Sequence, residues 1–228
     1  NGTLATTTKT GSSTVTVSGV LSVSTAHALL AGTSTTWVLS GGGTPFALSG
    51  AFLVENATVR YAALGASANV TPTTYARLEF SATGAALPTY TMGAGAFTIG
   101  GPLLIGNATG SAIVLTANTN DPAILAEGDV SVLSGATLVA SDIGNFTARR
   151  NWTNQGTMTA SGGTIVFDAT TTGFSVNAGN SSFANVVASS TAGGWTIADH
   201  ATTTGNFTLA AATSFTLAPG KTLAVGGV

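Results

Sequence analysis

Residues 194–227 read GWTIADHATTTGNFTLAAATSFTLAPGKTLAVGG, with apolar side chains in short alternating bursts: Trp195 and Ile197, Phe207 and Leu209, Phe215 and Leu217, Leu223 and Val225. An apolar residue at every second position marks a strand that buries one face. From Phe207 the bursts recur every eight residues, with Ala, Gly, Pro, Asn, Ser or Thr between them. Each strand is therefore about five residues long and each turn about three.

The same grammar runs back to the start. Val15-Thr16-Val17, Val20 to Val23 and Trp37-Val38-Leu39 are Thr-rich alternations that precede the break Gly41-Gly42-Gly43. The one candidate helical turn, Ala26 to Ala31, is too short to stand alone. Ala112 to Thr116, Val130 to Ala140 and Gly163 to Ala169 read as further strands.

A longer correspondence overlies the alternation. Phe46 and Phe52 match Phe146 and Trp152, and Thr58 to Tyr61 match Thr164 to Phe167. Tyr75 to Leu78 match Phe183 to Val186, Tyr90 to Met92 match Trp195 to Ile197, and Phe97 to Ile99 match Phe207 to Leu209. Five blocks in order predict a degenerate repeat of about 105 residues, roughly 37–130 and 131–228. No charge run or proline-rich linker separates the copies, so residues 1–228 are expected to form one continuous solenoid.

Composition narrows the function. Only 6% of the residues are charged, against an ordinary level of about a quarter. Six basic residues and a net charge of −2 give no electrostatic footprint for nucleic acid. A mean hydropathy of +0.42 with regular alternation argues for a folded chain. There is no cysteine, hence no disulfide framework or thiolate chemistry, and no apolar run reaches the roughly 18 residues of a membrane helix. The chain begins at Asn1, which suggests a processed product or a piece of something larger.

The blocks GTSTTWVLSGGGTPFALSGAF, ATVRYAA, TTYARLEF, AFTIGGPLLIGN and NWTNQGTMTASGGTIVFDATTTG resemble the repeat text of large bacterial cell-surface and secreted proteins. These are haemagglutinin-like and autotransporter-passenger-like chains. The resemblance covers nearly the whole chain and implies a right-handed parallel β-helix at the cell surface or outside it. It implies no reaction.

An all-β solenoid suits this composition. In a parallel β-helix, rungs of roughly 20 residues stack at about 4.8 Å and like side chains form inward ladders. A chain of 228 residues then gives about eleven rungs and a rod on the order of 50 Å long. The alternative is a set of antiparallel hairpins forming tandem β-sandwiches. In that arrangement Ala218-Pro219-Gly220-Lys221 is a type II turn folding Phe215-Leu217 back onto Leu223-Val225.

Candidate sites read as structural. Gly220-Lys221-Thr222 is a fragment of a phosphate loop, but Phe215 stands where the full motif needs glycine. Asp121, Glu127 and Asp129 form the densest acidic group without the alternating spacing of a calcium loop, so no metal or other cofactor is expected. Asn118-Thr119-Asn120-Asp121 faintly echoes the Asn-Thr-Asp of polygalacturonase-type enzymes, without the paired Asp, Gly-His-Gly or Arg-Ile-Lys that should accompany it. His27 and His200 are far apart in sequence, and Asp199-His200 reads as a polar corner. Eight sequons, at Asn1, Asn56, Asn69, Asn107, Asn145, Asn151, Asn180 and Asn206, are mostly turn chemistry. Trp37, Trp152 and Trp195 stand at alternating positions, which favours burial over a sugar-binding platform.

No catalytic, cofactor or metal residue is therefore assigned. The expected function is a non-enzymatic, extracellular β-solenoid: a segment or subunit of a surface fibre that associates end to end, without a membrane-spanning helix. The alternatives are an adhesin for surface glycans and a polysaccharide-processing enzyme on the same fold.

Overall fold

The computed structural model describes residues 12–65, 67–83, 87–108, 110, 112–210 and 214–227. Readings that fall on residues 1–9, including the Asn1 sequon, lie outside the described residues.

The strands follow one another in threes. The first turn holds β1 (Ser13–Val17), β2 (Leu21–Val23) and β3 (Ala28–Leu30), and the second β4 (Thr35–Leu39), β5 (Phe46–Leu48) and β6 (Ala51–Leu53). The third holds β7 (Thr58–Tyr61), β8 (Ala68–Val70) and β9 (Thr74–Tyr75), and the fourth β10 (Arg77–Phe80), β11 (Thr89–Met92) and β12 (Ala96–Ile99). Next come β13 (Leu103–Ile105), β14 (Ile113–Thr116) and β15 (Ala123–Ala126), then β16 (Val130–Val132), β17 (Ala136–Val139) and β18 (Asn145–Ala148). The seventh turn is β19 (Trp152–Asn154), β20 (Thr157–Thr159) and β21 (Thr164–Phe167); the eighth is β22 (Phe174–Asn177), β23 (Ser182–Phe183) and β24 (Asn185–Ala188). The last strands are β25 (Gly194–Ile197), β26 (Ala201–Thr203), β27 (Phe207–Leu209), β28 (Ser214–Leu217) and β29 (Leu223–Val225).

Wherever these strands pair, the partner is the strand three places along and the pairing is parallel, which makes a parallel β-helix with three walls. Wall one is an unbroken ten-stranded sheet from β1 to β28. Wall two comprises β2–β5, β8 to β20 and β23 to β29, and wall three comprises β3–β6 and β9 to β27. The stack makes about nine turns, fewer than the sequence predicts. Corner loops explain the difference, because they make the turns unequal and mostly longer than a minimal rung. Thr58 pairs with Arg77 one turn on, whereas Leu103 must run on to Val130 before it meets its partner. Nine steps at about 4.8 Å give a rod on the order of 43 Å.

Alternation becomes ladders. On wall one Trp37, Val59, Leu78, Leu103, Val130 and Trp152 lie in successive register and are all buried. On wall two Tyr90, Leu115, Leu138 and Met158 do the same, as do Phe97, Ile124, Phe146, Ile165 and Val186 on wall three. The outward residues beside them include Thr91, Ser131, Thr147 and Thr153, whose β-branched or small side chains suit a pleated surface. Among the described residues no helix is long and apolar enough to cross a membrane.

Two further readings change. The stretch from Ala26 to Ala31 contains no helical turn; Ala28–Leu30 is β3, paired with β6, because tertiary pairing outweighs a one-turn helical tendency. The antiparallel alternative is excluded. Lys221 N–H does donate to Ala218 O at 3.0 Å, with Gly220 at a φ of +74° as a type II turn requires. Yet Phe215 and Leu217 pair in parallel with Trp195 and Ile197, and Leu223 and Val225 with Ala201 and Thr203, so the turn is a corner of the helix. Finally, the matched sequence blocks enter the helix out of phase. Thr58–Tyr61 lies on wall one but Thr164–Phe167 on wall three, and only Phe97–Ile99 and Phe207–Leu209 share a wall.

Candidate functional site

The short third turn leaves a seam. Walls two and three are both interrupted between the second and third turns; among the described residues β5 and β8 do not pair, and an isolated bridge, Gly43–Ala68, joins the segment before β5 to β8. Buried tyrosines brace the third turn from inside. Tyr75 O–H donates to Thr71 O (2.6 Å), Tyr61 O–H donates to Tyr75 Oη (3.1 Å), and Thr71 N–H donates to Tyr61 Oη (3.3 Å). One turn below, Tyr90 O–H donates to Ser81 O (2.5 Å) and accepts from Ala63 N–H (2.8 Å). These are all the tyrosines of the chain. Burial is the main cause that raises the Tyr61 and Tyr75 phenols above their ordinary range, Tyr75 strongly, and it pushes Tyr90 up to about 12. All three are therefore neutral hydrogen-bond donors inside the lumen.

The acidic residues are separated and individually engaged. Asp121, at a φ of +47°, accepts through Oδ1 from Ser141 Oγ (2.6 Å) and from the N–H groups of Asp142 (2.7 Å) and Ile143 (3.3 Å). The Ser141 hydroxyl, followed by the Asp142 N–H, holds its carboxyl below the ordinary value. Glu127 pairs with Arg149 at 3.0 Å, and Asp129 Oδ1 accepts from Asn151 N–H (3.1 Å) and Nδ2 (3.0 Å). Each carboxylate thus ties one turn to the next. No group of three or more His, Asp or Glu able to hold a metal ion occurs among the described residues.

The other candidates are likewise corner chemistry. Thr116 Oγ1 donates to Asn118 Oδ1 (2.6 Å) and Asn120 Nδ2 to Met92 O (2.8 Å), so the Asn118-to-Asp121 stretch shapes a turn. Asp199 accepts from the N–H groups of Ala178 (2.9 Å) and Gly179 (2.7 Å). His200 Nδ1 lies 2.9 Å from Thr222 Oγ1, and His27 Nδ1 lies 2.8 Å from Ser24 Oγ, at opposite ends of the stack. Gly220-Lys221-Thr222 leads into β29, not into a helix. Trp37, Trp152 and Trp195 are buried in the lumen, where Trp37 Nε1 donates to Ala31 O (2.9 Å) and Trp195 Nε1 to Arg150 O (3.3 Å). Of the described sequons, Asn56, Asn69, Asn145, Asn180 and Asn206 are exposed, whereas Asn151 is held between Asp129 and Ser175.

Two features escape sequence reasoning. Charges pair from turn to turn: Arg60 with Glu79 (2.7 Å) on the outer face of wall one, and Arg149 with Glu127 (3.0 Å) and Asp168 (3.5 Å) at the corner after wall three. At this exposure each pair contributes about 0–1 kcal/mol. The second is an open cleft of about 790 Å³ on wall two, beneath β5 at the seam. The clustering of every tyrosine between residues 61 and 90 is the one signal that marks that region in the sequence.

Comparison with protein-family models, with curated proteins and with solved structures finds no match to this chain.

Proposed function

We propose that this chain is a structural, extracellular segment of a bacterial surface fibre, non-enzymatic, whose turns continue axially through more of the same chain or through a second copy. The observation that carries the reading is the last turn. Phe207, Leu209, Phe215, Leu217, Leu223 and Val225 are register partners of lumen-facing residues, so they belong to the inward ladders. Yet Leu209, Leu217 and Val225 are 51%, 48% and 48% exposed. Among the described residues, strands β27, β28 and β29 each have a strand neighbour on one side only. An apolar ladder and an open strand edge facing the same way are the surfaces that a further turn buries.

Composition supports the rest of the reading. A net charge of −2 sets little repulsion against axial contact, and the hydroxyl-rich surface is neutral. Asp121, Glu127, Asp129 and Asp199, carboxylates that an enzyme of this fold would deploy, are each used in turn-to-turn hydrogen bonds or ion pairs. Sedimentation over a concentration series tests the proposal: the 228-residue chain should associate, and Leu217→Lys should abolish association without unfolding the chain. Concentration-independent monomers would reject it.

A further inference from the structure

The geometry points to a binding site for a neutral oligosaccharide in the wall-two cleft at the seam. The cleft exists because the third turn is the shortest: β8 ends at Val70, Pro72 turns the chain, and among the described residues no strand pairs along the lower edge of Phe46–Leu48. Leu21 N–H donates to Pro45 O and Ser49 N–H to Val23 O, both at 2.8 Å, so Pro45 and Ser49 face β2. By strand alternation the backbone polar groups of Phe46 and Leu48 point the other way, into the cleft. The longer fourth and fifth turns form its lower lip through Thr91, Gly93, Thr119 and Asn120.

The lining selects the ligand class. Thr44, Asn69, Thr71, Thr91, Thr119 and Asn120 present hydroxyls and carboxamides, and none of the lining side chains is charged. An anion finds no counter-charge there, and an apolar ligand would strip water from amides without replacing it. An extended peptide would need a run of strand edge, but only β5 is offered and its Phe46 carbonyl already accepts from Thr71 Oγ1. A polyol matches what remains. Asn120 uses its Nδ2 on Met92 O, which fixes the carboxamide with Oδ1 as a free-standing acceptor, and Asn69 Nδ2 rests on Thr44 Oγ1 at 3.3 Å. Leu48 and Pro72 supply apolar patches for the C–H faces of a sugar ring. The volume lies within the range of about 300–1,000 Å³ usual for small-ligand sites. Recognition here uses no aromatic platform, the three tryptophans being in the lumen. The site is independent of axial stacking, so its failure leaves the structural reading untouched.

The test is titration of the 228-residue chain with neutral oligosaccharides of two to five units, including glucose-, mannose-, galactose- and N-acetylglucosamine-based series. Oligogalacturonate and an Ala/Thr peptide serve as comparators, and the side-chain amide NMR signals of Asn69 and Asn120 are followed. At least one neutral series should give saturable shifts at both amides. Thr91→Lys and Thr119→Lys, which fill the cleft from outward positions, should each weaken binding at least tenfold. Thr208→Lys, on an exposed site far along the rod, should leave it unchanged. Absence of saturable binding across the neutral series, preference for the acidic oligomer or the peptide, or binding indifferent to both cleft-filling lysines would overturn the proposal.

Discussion

The ladder architecture makes the cost of one chemical change depend on where along the rod it is made. Leu138 sits in β17 between Leu115 and Met158 and has no exposed surface; Leu217 sits on the inward side of β28 and is 48% exposed. Leu→Ala removes the same atoms at both. At Leu138 the loss combines burial with a cavity closed above and below by neighbouring turns, so about 2–5 kcal/mol is expected. At Leu217 half of the side chain is already in water and no closed cavity forms, so the cost is about 1 kcal/mol or less. For a chain of this size 1 kcal/mol moves Tm by about 2–4 °C. A mid-range loss of about 3 kcal/mol then puts Leu138→Ala roughly 6–12 °C below wild type, and Leu217→Ala stays within about 4 °C of it. Thermal melts followed by far-ultraviolet circular dichroism, at concentrations too low for association, separate the two. Equal losses, or a larger loss at Leu217, would refute the assignment of Leu138 to a closed ladder and Leu217 to an open one.

Further outcomes follow from the polar contacts. Tyr75→Phe strips Thr71 O of its donor and Tyr61 of its acceptor, and should cost about 1–3 kcal/mol in a denaturant titration, whereas Thr74→Ala on the exposed side should cost little. Because burial raises the phenol pKa values, their contribution is complete below the unfolded value of about 10 and is lost as pH rises through the folded values, about 12 for Tyr90. The Asp121 carboxyl has the opposite sign. Its folded pKa is depressed, so its contribution is present above about pH 3.9 and is lost as pH falls through the folded value; the Tm difference from Asp121→Asn should shrink in that acid range. Because Asp121, Glu127 and Asp129 each have a protein partner, a chelator should leave Tm unchanged, and a drop of several degrees restored by calcium would contradict this assignment.

How much of this is legible in the sequence depends on the range of the interaction. Alternation is local, so Trp195–Ile197, Phe215–Leu217 and Leu223–Val225 declare themselves as strands, and Pro219-Gly220 declares its turn. Strand direction is not local: the same turn serves a hairpin or a corner, and only the partner strand decides. Turn length is also hidden, since corners lengthen or shorten without disturbing the alternation, as the short step from Thr58 to Arg77 and the long one from Leu103 to Val130 show. For the same reason the block correspondence falls out of step with the walls. Phe207 reads as a core residue yet is only half-buried, because burial requires a neighbour on both sides and alternation reports only the face. The cleft is invisible because it arises from residues that a short third turn does not supply. The acidic residues, by contrast, read as corners from their spacing, and Asp121 does cap one.

Electron microscopy of the 228-residue chain at high concentration, with diffraction from aligned assemblies, tests the axial account most directly. Axial stacking predicts rods or filaments whose long axis carries the strand spacing of about 4.8 Å, with the β27–β28–β29 end buried in the contact and the assembly lost in Leu217→Lys. Stable, dispersed monomers at high concentration, with no axial contacts, would contradict it.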